Sequence, residues 1–89
     1  GIRIVAIHGS QWYGERRLQK LVELGHEQHA DLVVFGHTHR RFIKRESDLW
    51  IVNPGSIGLP RDGRKGTYAV VTIDDGTITD IAFHEIDRK

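Results

Sequence analysis

Cysteine and methionine are both absent from this 89-residue sequence. Without cysteine there is no disulfide and no thiolate metal site, and a reducing, cytoplasmic setting is expected. Long apolar runs are missing as well. Nothing approaches the roughly 20 residues of a membrane span, and no stretch has the layout of a signal peptide. Nor does one charge predominate: 13 Lys and Arg stand interspersed with 12 Asp and Glu, for a formal net charge of +1. That balance gives no electrostatic footprint for nucleic acid. The lack of methionine bears on the ends of the chain. Gly1 leads directly into an apolar strand with no cap or leader, as expected of a piece of a longer protein. What remains is ordinary for a soluble globular domain, with 38% hydrophobic and 28% charged residues. A chain this short makes one domain at most and buries about 60–65% of its unfolded surface, enough to fold alone with little to spare.

The sequence is organised around Asp31–Arg41, which reads DLVVFGHTHRR. The run Leu32-Val33-Val34-Phe35 suits a strand buried on both faces, as in parallel or mixed α/β sheets. Gly36 is expected to let the backbone turn sharply, delivering His37 and His39 at the carboxyl end of that strand, the edge at which open α/β sheets bind ligands. Ile2–Ile7 repeats the layout: an apolar strand, then His8-Gly9-Ser10. Between the two, Gln11–Gly14 is expected to be a turn exposing Trp12 and Tyr13. Leu18, Leu21, Val22 and Gly25 then fall at helical spacing, predicting a helix from Glu15 to about His29, with Gly25 either a close-packing point or an early stop. Strand, helix and strand make a βαβ unit with parallel strands and a right-handed crossover.

Arg41–Glu46 and Leu49–Val52 flank Ser47-Asp48 and read as a β-hairpin, ended at Asn53-Pro54-Gly55-Ser56 because proline does not continue a central strand. Ile57–Gly66 reads as a loop carrying Pro60-Arg61. Thr67–Ile73 and Thr77–Ile86 pair across Asp74-Asp75-Gly76, a strong hairpin signal. The fold class is therefore α/β: a mixed sheet with one βαβ unit and carboxyl-terminal hairpins. No repeat, low-complexity segment or linker interrupts it.

His8, His37 and His39 all follow strand exits, and parallel neighbouring strands bring such exits together. Neutral imidazole is the commonest metal ligand and suits zinc, iron, manganese or nickel. An H-x-H pair can serve one ion with both rings or two ions with one each. The same rings could instead cap strand ends by hydrogen bonding to loop carbonyls, which explains one such residue more comfortably than three. His26 and His29 complement the dipole at a helix end, and His84 is expected to face solvent. Arg40 and Arg61, near the histidine edge, are candidates to bind a phosphate, whose geometry a guanidinium matches bidentately.

Taken in order, His8-Gly9 after one strand, Gly36-His37-Thr38-His39 after the next, then Asn53-Pro54-Gly55-Ser56 and Pro60-Arg61 resemble the calcineurin-like metallophosphoesterases. Within that superfamily they are most similar to the small bacterial and archaeal phosphodiesterases. The resemblance covers essentially all of the chain but only the carboxyl-terminal half of a family member. It implies that residues 1–89 are the carboxyl-terminal part of a single domain, half of a metallophosphoesterase α/β sandwich. Two divalent ions are held in that family by a D-x-H, a G-D whose aspartate bridges the metals, a G-N-H, a later histidine and the G-H-x-H. By motif, His8 and His37 would ligate one ion and His39 the other, the ions being manganese, zinc, iron or nickel. Close relatives read H-G-H where this chain has His8-Gly9-Ser10, so the ligand position is kept and its neighbour is not.

No D-x-H, G-D or G-N-H occurs in the sequence. The resemblance therefore implies a phosphodiesterase or phosphatase for which this chain supplies histidine ligands and no catalytic residue of its own. It is expected to be inactive until a missing amino-terminal half supplies the rest, and to self-associate through the face that half would cover. Two other readings stand beside it: a non-catalytic protein-interaction scaffold of the same fold, and a mononuclear metal-binding module using the three histidines. A scaffold needs no imidazoles at a strand edge, which favours the hydrolase.

Overall fold

Residues 1–56 and 66–86 are described by the computed structural model. The strand β1 (Ile4–Ile7), the helix α1 (Gly14–Glu27) and the strand β2 (Leu32–Phe35) form the expected βαβ unit, with β1 and β2 parallel and Ile7 opposite Phe35. β3 (Arg41–Glu46) and β4 (Leu49–Pro54) make an antiparallel hairpin, which inserts β4 parallel to β2 and leaves β3 at the edge. The resulting sheet has the order β1-β2-β4-β3, and β5 (Gly66–Asp74) and β6 (Thr77–Ile86) form a separate two-stranded sheet. This is a mixed α/β fold consistent with half of a metallophosphoesterase sandwich.

Side chains alternate across the sheet as strand geometry requires. Val33 and Phe35 of β2, with Leu49 and Ile51 of β4, meet Leu21 of α1 in one buried cluster, with Val5, Ile7, Leu18 and Val22 around it. Leu32 and Val52 are buried on the opposite side, where Val34 is only half-buried and Ile4 is exposed, so the second face of β2 is covered in part. Gly25 is a close-packing point and not a stop. A Cβ there would lie 2.5 Å from Leu49 Cδ2 and 3.0 Å from Val33 Cγ2, so the absent side chain sets how closely α1 lies on β2 and β4.

The helix ends two residues earlier than its periodicity suggested, and the cause is local. His29 N–H donates to the His26 carbonyl at 3.2 Å and Ala30 N–H to the Gly25 carbonyl at 2.9 Å. Those two bonds define a Schellman C-cap, in which His29 occupies the left-handed position usually given to glycine, at φ 53°. Trp12 also differs from expectation. Only Tyr13 is strongly exposed, at 74%, while Trp12 packs against the core cluster.

β4 continues two residues beyond the expected Val52, because Pro54 sits at its last position, opposite Arg41. The closing hairpin turns through Asp75 and Gly76, both at positive φ, as the two-residue turn between right-twisted strands requires. Of the expected Ile57–Gly66 loop, residues 57–65 lie outside the described residues, and Gly66 opens β5. Thr67 ties that strand to the main sheet: its hydroxyl donates to the Pro54 carbonyl at 2.9 Å and its N–H to the Ser56 carbonyl at 3.0 Å.

Candidate functional site

The parallel register brings the exits of β1 and β2 level, and the ladder runs one step past them, from Gly36 N–H to the His8 carbonyl at 3.2 Å. The two side chains that follow meet. His37 Nδ1 lies 3.3 Å from His8 Nε2, with the rings edge to face at 77° and their centroids 5.2 Å apart. In the metal-free pair one nitrogen donates and the other accepts, so the contact selects tautomers that complement each other.

What aims His37 differs from the expectation that Gly36 makes the turn. Gly36 is not among the residues at positive φ; His37 (φ 69°) and His39 (φ 57°) are. Thr38 N–H donates to the Gly36 carbonyl at 2.8 Å, which closes a three-residue γ-turn centred on His37. With positive φ at its centre this is the rare and strained form. Conformations of this kind persist only where the surroundings over-determine them.

Asn53 supplies those surroundings. It is fully buried, and its Nδ2 donates both to the Gly36 carbonyl at 3.1 Å and to Thr38 Oγ1 at 3.0 Å. Its Oδ1 accepts the Gly55 N–H at 2.9 Å. One carboxamide thus ties the histidine turn to the Pro54-Gly55 corner. Gly55 has φ 87°, and a Cβ there would collide with the Thr67 hydroxyl. Neither Asn53 nor Thr67 was singled out from the sequence as a site residue. The Asn-Pro-Gly string was legible as a turn, but nothing local says that the asparagine side chain reaches back 17 residues.

His39 follows the turn and is half-buried. Arg40 is exposed, and its N–H donates to Thr38 Oγ1 at 3.3 Å. It borders a mainly apolar cleft of about 410 Å³ between the start of α1 and β3, lined also by Arg17, Phe35 and Phe42. Arg61 lies outside the described residues. On the opposite face, a broad hollow of about 450 Å³ runs along the strand exits, lined by Ala6, His8, Val34, Gly36 and Gly55. His26, His29 and His84 are exposed and away from this edge, His84 stacked on Tyr68 at 5.2 Å. Among the described residues no group of three or more His, Asp or Glu forms a metal cage, so the three-histidine mononuclear site is not assembled there.

A family model for the calcineurin-like phosphoesterase superfamily domain matches residues 1–76. A probable metallophosphoesterase of Mycoplasma pneumoniae is 31% identical over 93 residues, covering 94% of this chain and 55% of the relative. One of Bacillus subtilis is 32% identical over 77 residues, covering 86% of this chain and 46% of its own length. A solved structure from Streptococcus pneumoniae, described as a predicted phosphoesterase, superimposes with a TM-score of 0.74 at 32% identity, over 89% of this chain and 48% of that one. Vps29 of Chaetomium thermophilum shares the fold, with a TM-score of 0.67 at 17% identity over 96% of this chain and 54% of its own. The chain therefore spans about half the length of the relatives it matches. With histidines at two level strand exits and the family pattern running through residues 1–76, it belongs to the calcineurin-like phosphoesterase superfamily.

Proposed function

We propose that this chain supplies the carboxyl-terminal histidine ligands of a dinuclear phosphoesterase centre, forming the carboxyl-terminal part of a single domain whose other ligands lie on an amino-terminal half. His8 and His37 hold one divalent ion between them, and His39 serves the second. One observation carries this reading: the 3.3 Å separation of His8 Nε2 and His37 Nδ1. Two nitrogens that ligate one ion at about 2.0–2.1 Å stand roughly 2.9–3.4 Å apart at octahedral to tetrahedral angles, so the spacing matches a shared ion once the donor ring moves its proton to its other nitrogen. All-nitrogen and oxygen donor sets accept manganese, zinc, iron or nickel, and we favour manganese. A cysteine-free chain suits a cytoplasmic enzyme.

When bound, paired divalent ions activate water and neutralise charge on the phosphoryl oxygens. The chain's own residues do the rest. The γ-turn and the ladder to His8 hold both rings in place, and Arg40, exposed beside the turn, offers its guanidinium to a phosphate ester. The hollow beside His8 and Gly36 is where further ligands approach. The apolar face continuing from it, on which Ile4 is 51% exposed, is the surface the amino-terminal half covers. Without that half the same face drives self-association.

The test uses a longer gene product carrying D-x-H, G-D and G-N-H, assayed with manganese and bis-p-nitrophenyl phosphate. Turnover abolished by His37→Ala is expected, with no turnover by the 89-residue chain alone. Robust hydrolysis by the isolated chain contradicts the proposal. So does an inert longer product.

A further inference from the structure

We infer that Asn53 is the positioning residue of the histidine pair: its carboxamide holds the γ-turn that directs His37 at His8. The metal readout of this inference rests on the ligand reading above, whereas the geometry does not. Three observations converge on it. Asn53 is fully buried, yet every polar atom of its side chain is engaged. Its two N–H groups go to the residues on either side of His37, the Gly36 carbonyl and the Thr38 hydroxyl. Between those two anchors the backbone takes φ 69°, a conformation unfavourable for an L-residue.

The Gly36 carbonyl therefore accepts twice, from Thr38 N–H at 2.8 Å and from Asn53 at 3.1 Å. Remove the Asn53 donors and the strained turn loses the two side-chain hydrogen bonds that anchor it on either side of His37. His37 then relaxes to negative φ, and its ring swings away from His8. Aspartate isolates this role. It has the same shape and still accepts the Gly55 N–H through Oδ1, but it has no donor and sets a carboxylate oxygen against the Gly36 carbonyl. If Asn53 served only the Pro54-Gly55 corner, aspartate would suffice.

The experiment is made on the 89-residue chain with three readouts: zinc affinity by calorimetry, the ring-to-ring nuclear Overhauser effect between His8 and His37, and the thermal melt. Asn53→Asp and Asn53→Ala are expected to lose the ring-to-ring signal and to weaken zinc binding by about 10–100-fold, the range found for residues that orient metal ligands. Thr38→Val removes one anchor of the two and is expected to weaken binding by less than Asn53→Ala does. An Asn53→Asp chain that melts normally and keeps both signal and affinity overturns the inference. Should both Asn53 variants fail to fold, Thr38→Val decides: an undiminished His8–His37 signal refutes the role. If the unaltered chain binds no zinc, the metal reading fails by itself, and loss or retention of the ring-to-ring signal still settles the positioning claim.

Discussion

Of the turns that place residues in the left-handed region, the β5–β6 turn and the turn at the exit of β2 do it differently. The β5–β6 turn uses Asp75 and Gly76, residue types that tolerate positive φ, and serves only to reverse the chain. The turn at the exit of β2 places positive φ on His37 and His39, although Gly36 stands beside them at ordinary φ. Composition serves stability in the first case. In the second it serves the direction of two imidazoles, and the strain is held by a buried asparagine on a different strand. On the proposed reading, that strain falls on the two ligand histidines although a glycine stands next to them.

That contrast can be broken in several ways. The largest effect is expected at His37. His37→Ala should reduce zinc affinity of the chain and hydrolysis by the longer gene product roughly 100-fold or more, while His37→Gly, equally lacking the ring, should raise stability by about 1–2 kcal/mol by relieving the left-handed strain. A melt of His37→Gly below that of the unaltered chain would show that the turn is not strained. Next comes Gly25→Ala, which forces a methyl against Leu49 and Val33 and should cost about 1–3 kcal/mol, read by urea titration, without disturbing the His8–His37 contact. Gly76→Ala should cost about 1 kcal/mol and leave zinc affinity unchanged; a matching loss of affinity would erase the distinction between the two turns. The smallest effect is His29→Gly, which should stabilise the Schellman cap by up to about 1 kcal/mol. Sedimentation adds a test of the open sheet face: dimers or larger species are expected, and a clean monomer argues against a missing half.

Much of this was legible in the sequence because the signals are local. The apolar runs of β1 and β2, the helical spacing of Leu18, Leu21, Val22 and Gly25, and the Asp-Gly turn each report on their own neighbourhood. So does the G-H-x-H string with the Asn-Pro-Gly-Ser that follows it. Side chain-to-backbone bonds across 17 residues do not. Asn53 and Pro54 read as a strand end because proline lacks an N–H, and the sequence does not reveal that the strand's last position, opposite Arg41, accommodates it. His29 read as a dipole partner because its cap depends on backbone φ, to which composition is silent. Gly36 took credit for the turn because glycine is the usual residue in such places. Here the histidines took the strained conformation instead.

The central claim is that His8 and His37 share one divalent ion. Its most direct test is ¹⁵N NMR of the histidine rings during a zinc titration. The account predicts that His8 Nε2 and His37 Nδ1 shift together and saturate at one ion per chain. Zinc that moves neither nitrogen, or only one of them, would contradict it.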